Sequence, residues 1–149
     1  MGRVEWIGVR PASNQPMIPL QSVQAVAERG IEGDRGMEGR VGRKRQLTFI
    51  RQDHLVEIGA ALGEGPVDPS RLRRNIVVSG VELMPLIGRR FRVGTVICEG
   101  TMECDPCDKM DVALGAGGKD AMLDRGGLTA KICESGVIRV GDEFEVLPD

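Results

Sequence analysis

The residues best suited to chemistry by type and spacing are the cysteines of Cys104-Asp-Pro-Cys107. Thiolate is the reactive form of cysteine, and a Cys-x-x-Cys spacing lowers the pKa of one of the pair. Thiolate is also a soft ligand for metals that favour sulfur. Four readings stand side by side: a catalytic or cofactor-binding thiol, a structural zinc site, a dithiol redox pair, and two thiols without a role. A structural zinc site usually takes four ligands. Only Cys98, Cys133 and the sole histidine, His54, remain to complete one, and there is no second Cys-x-x-Cys. A thioredoxin-type pair belongs beside a βαβ pattern, which this chain does not show. Free cysteine without a role is commonly a small buried hydrophobe.

Arginine supplies the second signal. Arg40, Arg43, Lys44 and Arg45 form one group, and Arg71, Arg73 and Arg74 another. Guanidinium forks bind phosphate and carboxylate bidentately, so the two groups fit one anionic-ligand pocket. A solvated surface accounts for them equally well, because exposed arginine is the usual case. Arg125-Gly-Gly127 brings backbone amides near an anion or forms a plain turn.

Several function classes are thinned by what is missing. A Ser-His-Asp triad must use His54, and zinc hydrolase motifs with two histidines are impossible. A phosphate loop fails, because Gly118-Lys119 is followed by Asp120 and Ala113 stands where the first glycine belongs. One Trp, three Phe and no Tyr leave few platforms for stacking bases. A net charge of −2 draws the chain neither to nucleic acid nor to anionic lipid. No window approaches the roughly 18 apolar residues of a membrane span, and the N-terminus does not read as a signal peptide. A cytoplasmic protein with its cysteines as thiols is expected.

These groups need elements to position them. At 149 residues, 41% hydrophobic and 28% charged, one domain spanning 1–149 is expected. Arg3–Val9 partly alternates apolar and polar residues, as a strand does, and a loop holds Pro11, Asn14, Gln15 and Pro16. Gly30–Gly36 is rich in turn residues. Gln46–Ile50 reads as a strand, after which Asp53 caps a helix carrying Leu55, Ile58 and Leu62 and stopping at Gly63. Asp68-Pro69 opens a short helical turn through Arg73, and Asn75–Val78 is a buried strand. Phe-Arg-Val-Gly94 and Ile-Arg-Val-Gly141 each enter a turn before a second strand, which predicts two hairpins. Many short strands with one clear helix predict a mainly β fold with a few short helices, a closed or partly open barrel. The stretch from Glu103 to Gly127 is a long connection without clear strands, and such connections are often functional.

Taken in order, several stretches resemble the MOSC family, named for the C-terminal domain of molybdenum cofactor sulfurase. They are Gly30-Ile-Glu-Gly-Asp-Arg35, Arg45-Gln-Leu-Thr-Phe-Ile50 and Leu72-Arg-Arg-Asn-Ile-Val-Val-Ser-Gly-Val-Glu-Leu83. Gly88–Gly94, Cys104-Asp-Pro-Cys-Asp-Lys-Met110, Arg125-Gly-Gly-Leu-Thr-Ala130 and Val137–Glu143 continue the match over nearly the whole chain. The resemblance implies a barrel of MOSC type and the molybdenum cofactor, a molybdopterin. It places the family cysteine, a molybdenum ligand, on Cys107 with Cys104 beside it. It places the Arg-x-Asn element on Arg73 and Asn75 and the Gly-Asp element on Gly33 and Asp34. Arg45, Arg73 and Asn75 would then hold the pterin's phosphate and amide edge. Asp34 would orient an arginine or accept from the pterin's amino groups. Related sequences often carry histidine near Arg35 and at Arg125, so this chain departs from them there. The activity implied is a small molybdenum-dependent reductase of N-hydroxylated compounds. It would need an electron-donor protein, since no flavin, haem or iron–sulfur motif is present. The alternatives are a carrier of cofactor or of persulfide sulfur, served by a sulfur-donor protein, and a metal-free adaptor.

Overall fold

The computed structural model describes residues 2–12, 14–104, 114–115 and 117–148. Its main sheet contains β1 (Gly2–Val9), β2 (Ile18–Leu20), β5 (Leu47–Arg51), β6 (Ile76–Ser79), β7 (Arg90–Val93), β8 (Val96–Glu103), β9 (Leu128–Glu134) and β11 (Glu143–Val146). They run in the order β11-β7-β8-β9-β5-β6-β1-β2. Strand β11 also pairs with β1, through Gly2 opposite Phe144, and this closes a seven-stranded barrel with β2 outside it. Strands β5 and β6 run parallel and the other barrel pairs antiparallel, so the barrel is mixed. A small second sheet joins β10 (Gly136–Arg139), β3 (Ser22–Val26) and β4 (Gly30–Ile31).

Alternation along the strands puts one set of side chains inside the barrel. The chain's three phenylalanines meet there. Phe91 and Phe144 stack at 4.7 Å, and Phe49 sets its edge against them at 5.4 and 5.7 Å. The opposite faces of β5 and β6 present Ile50 and Val77, which pack with Leu72 against Leu55 and Ile58 of α1 (Gln52–Ala61). A one-turn helix, α2 (Gly118–Ala121), lies within the long connection and adds Ala121 to this outer cluster.

Local chemistry explains most element ends and corrects two expectations. Asp68 accepts from the Ser70 amide at 2.9 Å and caps a 3-10 turn, which Arg73 closes in a left-handed conformation. Gly63, at φ +75°, follows α1 as expected. Asp53, however, is not the cap of α1. The helix starts at Gln52 directly from the last residue of β5, leaving no loop position for a cap, and Asp53 instead accepts from Arg51 Nε at 2.9 Å. Of the two predicted hairpins, only β7–β8 forms. Strand β10 pairs with β3, while β11 pairs with β7 and β1, so the turn at Gly141 carries the chain from the small sheet to the barrel.

Candidate functional site

The site grows around Asp34, whose carboxylate is buried. Asp34 caps the 3-10 turn Arg35–Glu38 by accepting from the Gly36 amide at 2.9 Å. It also accepts from the Arg10 amide at 2.7 Å, from Arg10 Nε at 3.1 Å and from Arg10 Nη2 at 2.9 Å. The loop after β1 and the loop after β4 are thereby locked together, and the Arg35 amide adds a bond to the Arg10 carbonyl at 2.7 Å. Burial pushes the Asp34 carboxyl up. The hydrogen bonds and charge of Arg10 and the Gly36 amide outweigh this and hold it below its ordinary value.

Asn75 secures Asp34 from the other side. It precedes β6 and is fully buried. Its Nδ2 donates to Asp34 Oδ1 at 3.1 Å and to the Gly8 carbonyl at 3.2 Å. Its Oδ1 accepts from the Thr48 amide at 3.1 Å and from Thr48 Oγ1 at 3.2 Å. Every polar position of the amide is engaged, so Asn75 joins β1, β5 and β6 beneath the site rather than facing an open space.

Above this floor lies a cleft of about 570 Å3 whose lining includes Arg10, Arg35, Arg43 and Arg45. Arg43 is anchored to the carbonyls of Gly36, Arg29 and Arg40. Arg35 and Arg45 are exposed and, among the described residues, make no ion pair and no side-chain hydrogen bond. Arg73 stands close by. Its guanidinium donates to the Ala12 carbonyl at 3.1 Å and to that of Gln15, tethering the loop after β1. Burial lowers the pKa of Arg73, and the charges of Arg10 and Arg35 lower it further. Burial lowers Arg43 as well, the nearby Asp34 opposes this, and Arg10 and Arg45 add to the lowering. Like charges are thus held together around one buried carboxylate, an arrangement that a bound anion relieves.

Arg74 turns away from Arg73 and into the protein. Its buried guanidinium donates to the carbonyls of Gly126 at 2.7 Å, Leu72 at 2.9 Å and Cys104 at 3.2 Å. The Cys104 amide completes the clamp by donating to the Gly127 carbonyl at 2.8 Å. The base of the cysteine segment is therefore joined to residues that adjoin the arginine cleft. Room for the clamp depends on glycine: a Cβ on Gly126 would lie 2.0 Å from the Cys104 carbonyl oxygen, and one on Gly127 would lie 2.0 Å from that of Phe49.

The structure brings together Asp34, Asn75, Arg73 and Arg45 as parts of one site. Arg125 stands apart, with Nη1 donating to the Ala121 carbonyl at 3.0 Å and Nε 3.4 Å from Glu57 on α1. Cys104 is buried. Cys107, the expected metal ligand, lies outside the described residues. Cys98 is wholly buried, and burial followed by the neighbouring Cys133 pushes its thiol well up. Among the described residues the only grouped metal-ligating side chains are Asp53, His54 and Glu57, with no cysteine among them. Sequence reasoning missed Arg10 as Asp34's partner and Arg35 as a lining residue. Arg10 sits beside, and Arg35 within, a segment already singled out, but nothing local shows that the two loops meet.

The fold and site define a small mixed β-barrel with an arginine-lined cleft and a buried arginine clamp on Cys104. The MOSC domain family matches residues 36–145, and the chain belongs to that family. Solved structures agree in fold. The YuaD protein from Bacillus subtilis is 20% identical, with a TM-score of 0.81 over 98% of this chain and 96% of its own. YiiM from Escherichia coli is 18% identical, with a TM-score of 0.74 over 99% of this chain and 70% of its own. YiiM from Geobacillus stearothermophilus is 15% identical, with a TM-score of 0.75 over 99% of this chain and 76% of its own. No curated protein matches the chain. Among the described residues, no helix is long and apolar enough to cross a membrane.

Proposed function

We propose that the arginine cleft holds the phosphorylated end of a molybdenum cofactor, and that the protein is a small molybdenum-dependent reductase of N-hydroxylated compounds. The carrying observation is the pair of guanidiniums, Arg35 and Arg45, that have no side-chain partner among the described residues and lie in a cleft already crowded with positive charge. Membership of the MOSC family supports the choice of ligand. The donor set suits a phosphate, which planar guanidinium forks grip bidentately. When bound, the cofactor would supply a metal centre for two-electron chemistry. In this reading Arg35 and Arg45 bind the phosphate, while Arg10 and Arg43 stay fixed and lose little freedom on binding. Asp34 keeps Arg10 in place, Asn75 keeps Asp34 in place, and Arg73 holds the adjacent loop. Cys107 supplies the soft thiolate, carried by a segment whose base Arg74 fixes.

A second reading is a carrier of cofactor or of persulfide sulfur, which the family match supports equally because it speaks to the ligand more than to the reaction. The two separate on turnover: a reductase consumes an N-hydroxylated substrate when given an electron donor, whereas a carrier binds without turning over. The central experiment is to purify the protein from cells that make the cofactor and to measure molybdenum and pterin by mass spectrometry. Replacing both Arg35 and Arg45 with alanine should weaken retention of both by about tenfold to a hundredfold. Cys107→Ser should lose molybdenum. Undiminished metal in that variant removes Cys107 from the ligand role. Wild-type protein that takes up neither pterin nor metal overturns the reading and leaves a metal-free adaptor.

A further inference from the structure

A second concave surface shares no lining residue with the arginine cleft and is of opposite character. It is a groove of about 820 Å3 between α1 and the outer face of β1 and β6. Trp6, Leu55, Val67 and Val77 form its apolar floor, and Val56, 51% exposed, forms its lip. Its charged lining residues are Glu5, Asp53, Glu82 and Arg51. Arg51 is already answered by Asp53, from Nε at 2.9 Å. Arg51 also reaches Glu82 at 3.9 Å, but three carboxylates to one guanidinium leave the rim net acidic, with Glu5 accepting from Ser79 Oγ at 2.9 Å and the Glu82 side chain 76% exposed.

We infer that this groove docks a basic amphipathic segment of a partner protein, its apolar side chains against Trp6 and Val56 and its lysines or arginines on Glu5 and Glu82. Charge complementarity carries the choice of occupant. A net negative rim around an apolar floor attracts a cationic segment and repels an acidic one. Laying the apolar face of an amphipathic helix into a hydrophobic groove is an established mode of peptide capture. A second copy of the chain is disfavoured because it would bring the same acidic rim against itself. This inference is independent of the cofactor reading and would stand if that reading failed.

Trp6 is the only tryptophan, so its fluorescence reports on the groove alone. The full-length protein is titrated with a synthetic amphipathic helix of Leu and Lys, and with the same design in Leu and Glu. The Leu/Lys peptide should shift Trp6 emission with a strongly salt-dependent affinity, and the Leu/Glu peptide should not. Val56 and Glu82 are exposed and Glu5 is half-buried, so circular dichroism checks the folds of Val56→Asp and of the double variant Glu5→Lys/Glu82→Lys. Val56→Asp should weaken the Leu/Lys peptide about tenfold or more, and the double variant should reverse the preference towards Leu/Glu. Equal response to both peptides, response to neither, or a preference untouched by the double variant overturns the inference. So does an emission shift driven by protein concentration alone, which would assign the groove to self-association.

Discussion

Guanidiniums crowded into one cleft cost a fold electrostatic energy unless something offsets them, and here the buried offset is the Asp34 carboxylate. Asp34 is held below its ordinary value, so the unfolded chain binds this proton more readily than the folded one. Ionised Asp34 therefore stabilises the protein fully above about pH 4, and the contribution is lost as the pH falls through the lower folded value. Asp34→Asn should accordingly flatten that part of the acid limb in urea-midpoint measurements between pH 2 and 6. Asp34→Ala should cost about 3 kcal/mol at neutral pH, because Arg10 would lose its partner in a half-buried position. Asn75→Ala should cost a comparable amount, roughly 3 kcal/mol, by orphaning the Thr48 amide and loosening Asp34. Asp34, Asn75, Arg45 and Arg73 were singled out through the family resemblance, and the structure sets them near one another. Arg10 and Arg35 were not, because their parts are set by where two distant loops converge, which residue spacing does not encode.

Elements rather than side chains decide how firmly the cysteine segment is seated. Arg74 ties the entry to β6, the end of β8 and the start of β9 through three carbonyls. Arg74→Met keeps much of the length and apolar stem but removes the donors. Limited proteolysis should then cut between Cys104 and Gly127 several-fold faster than in the wild type, with the barrel itself intact. Gly127→Ala should be more severe, with a loss of about 2 to 3 kcal/mol by thermal or urea unfolding. It adds a Cβ against the Phe49 carbonyl at a φ of +96° that alanine resists. The strands at Arg3–Val9, Gln46–Ile50 and Asn75–Val78 were readable, and so was the helical turn that Asp68 caps. Pairing was not: the glycine turn marks Val137–Gly141 and Asp142–Val146 as strands but carries no information about which neighbour each will take. Asp53 misled for a different reason. It has the chemistry of a cap, and only the immediate passage from β5 into α1 denies it that place.

Across the whole molecule, stability rests on closing the barrel. Phe144 comes from β11, the strand that closes it, and stacks on Phe91 in the centre. Phe144→Ala should therefore cost about 3 to 5 kcal/mol and lower the urea midpoint accordingly. The same pairing of β1 with β11 sets a constraint on synthesis. The first barrel strand emerges from the ribosome with its eventual neighbour still untranslated, and nearly the whole chain must follow before that edge is covered. Contacts so distant along the chain form slowly, and exposed strand edges invite association in the interval. A nascent chain stalled ahead of β11 would present an open sheet with its phenylalanines uncovered, a natural client for holdase chaperones.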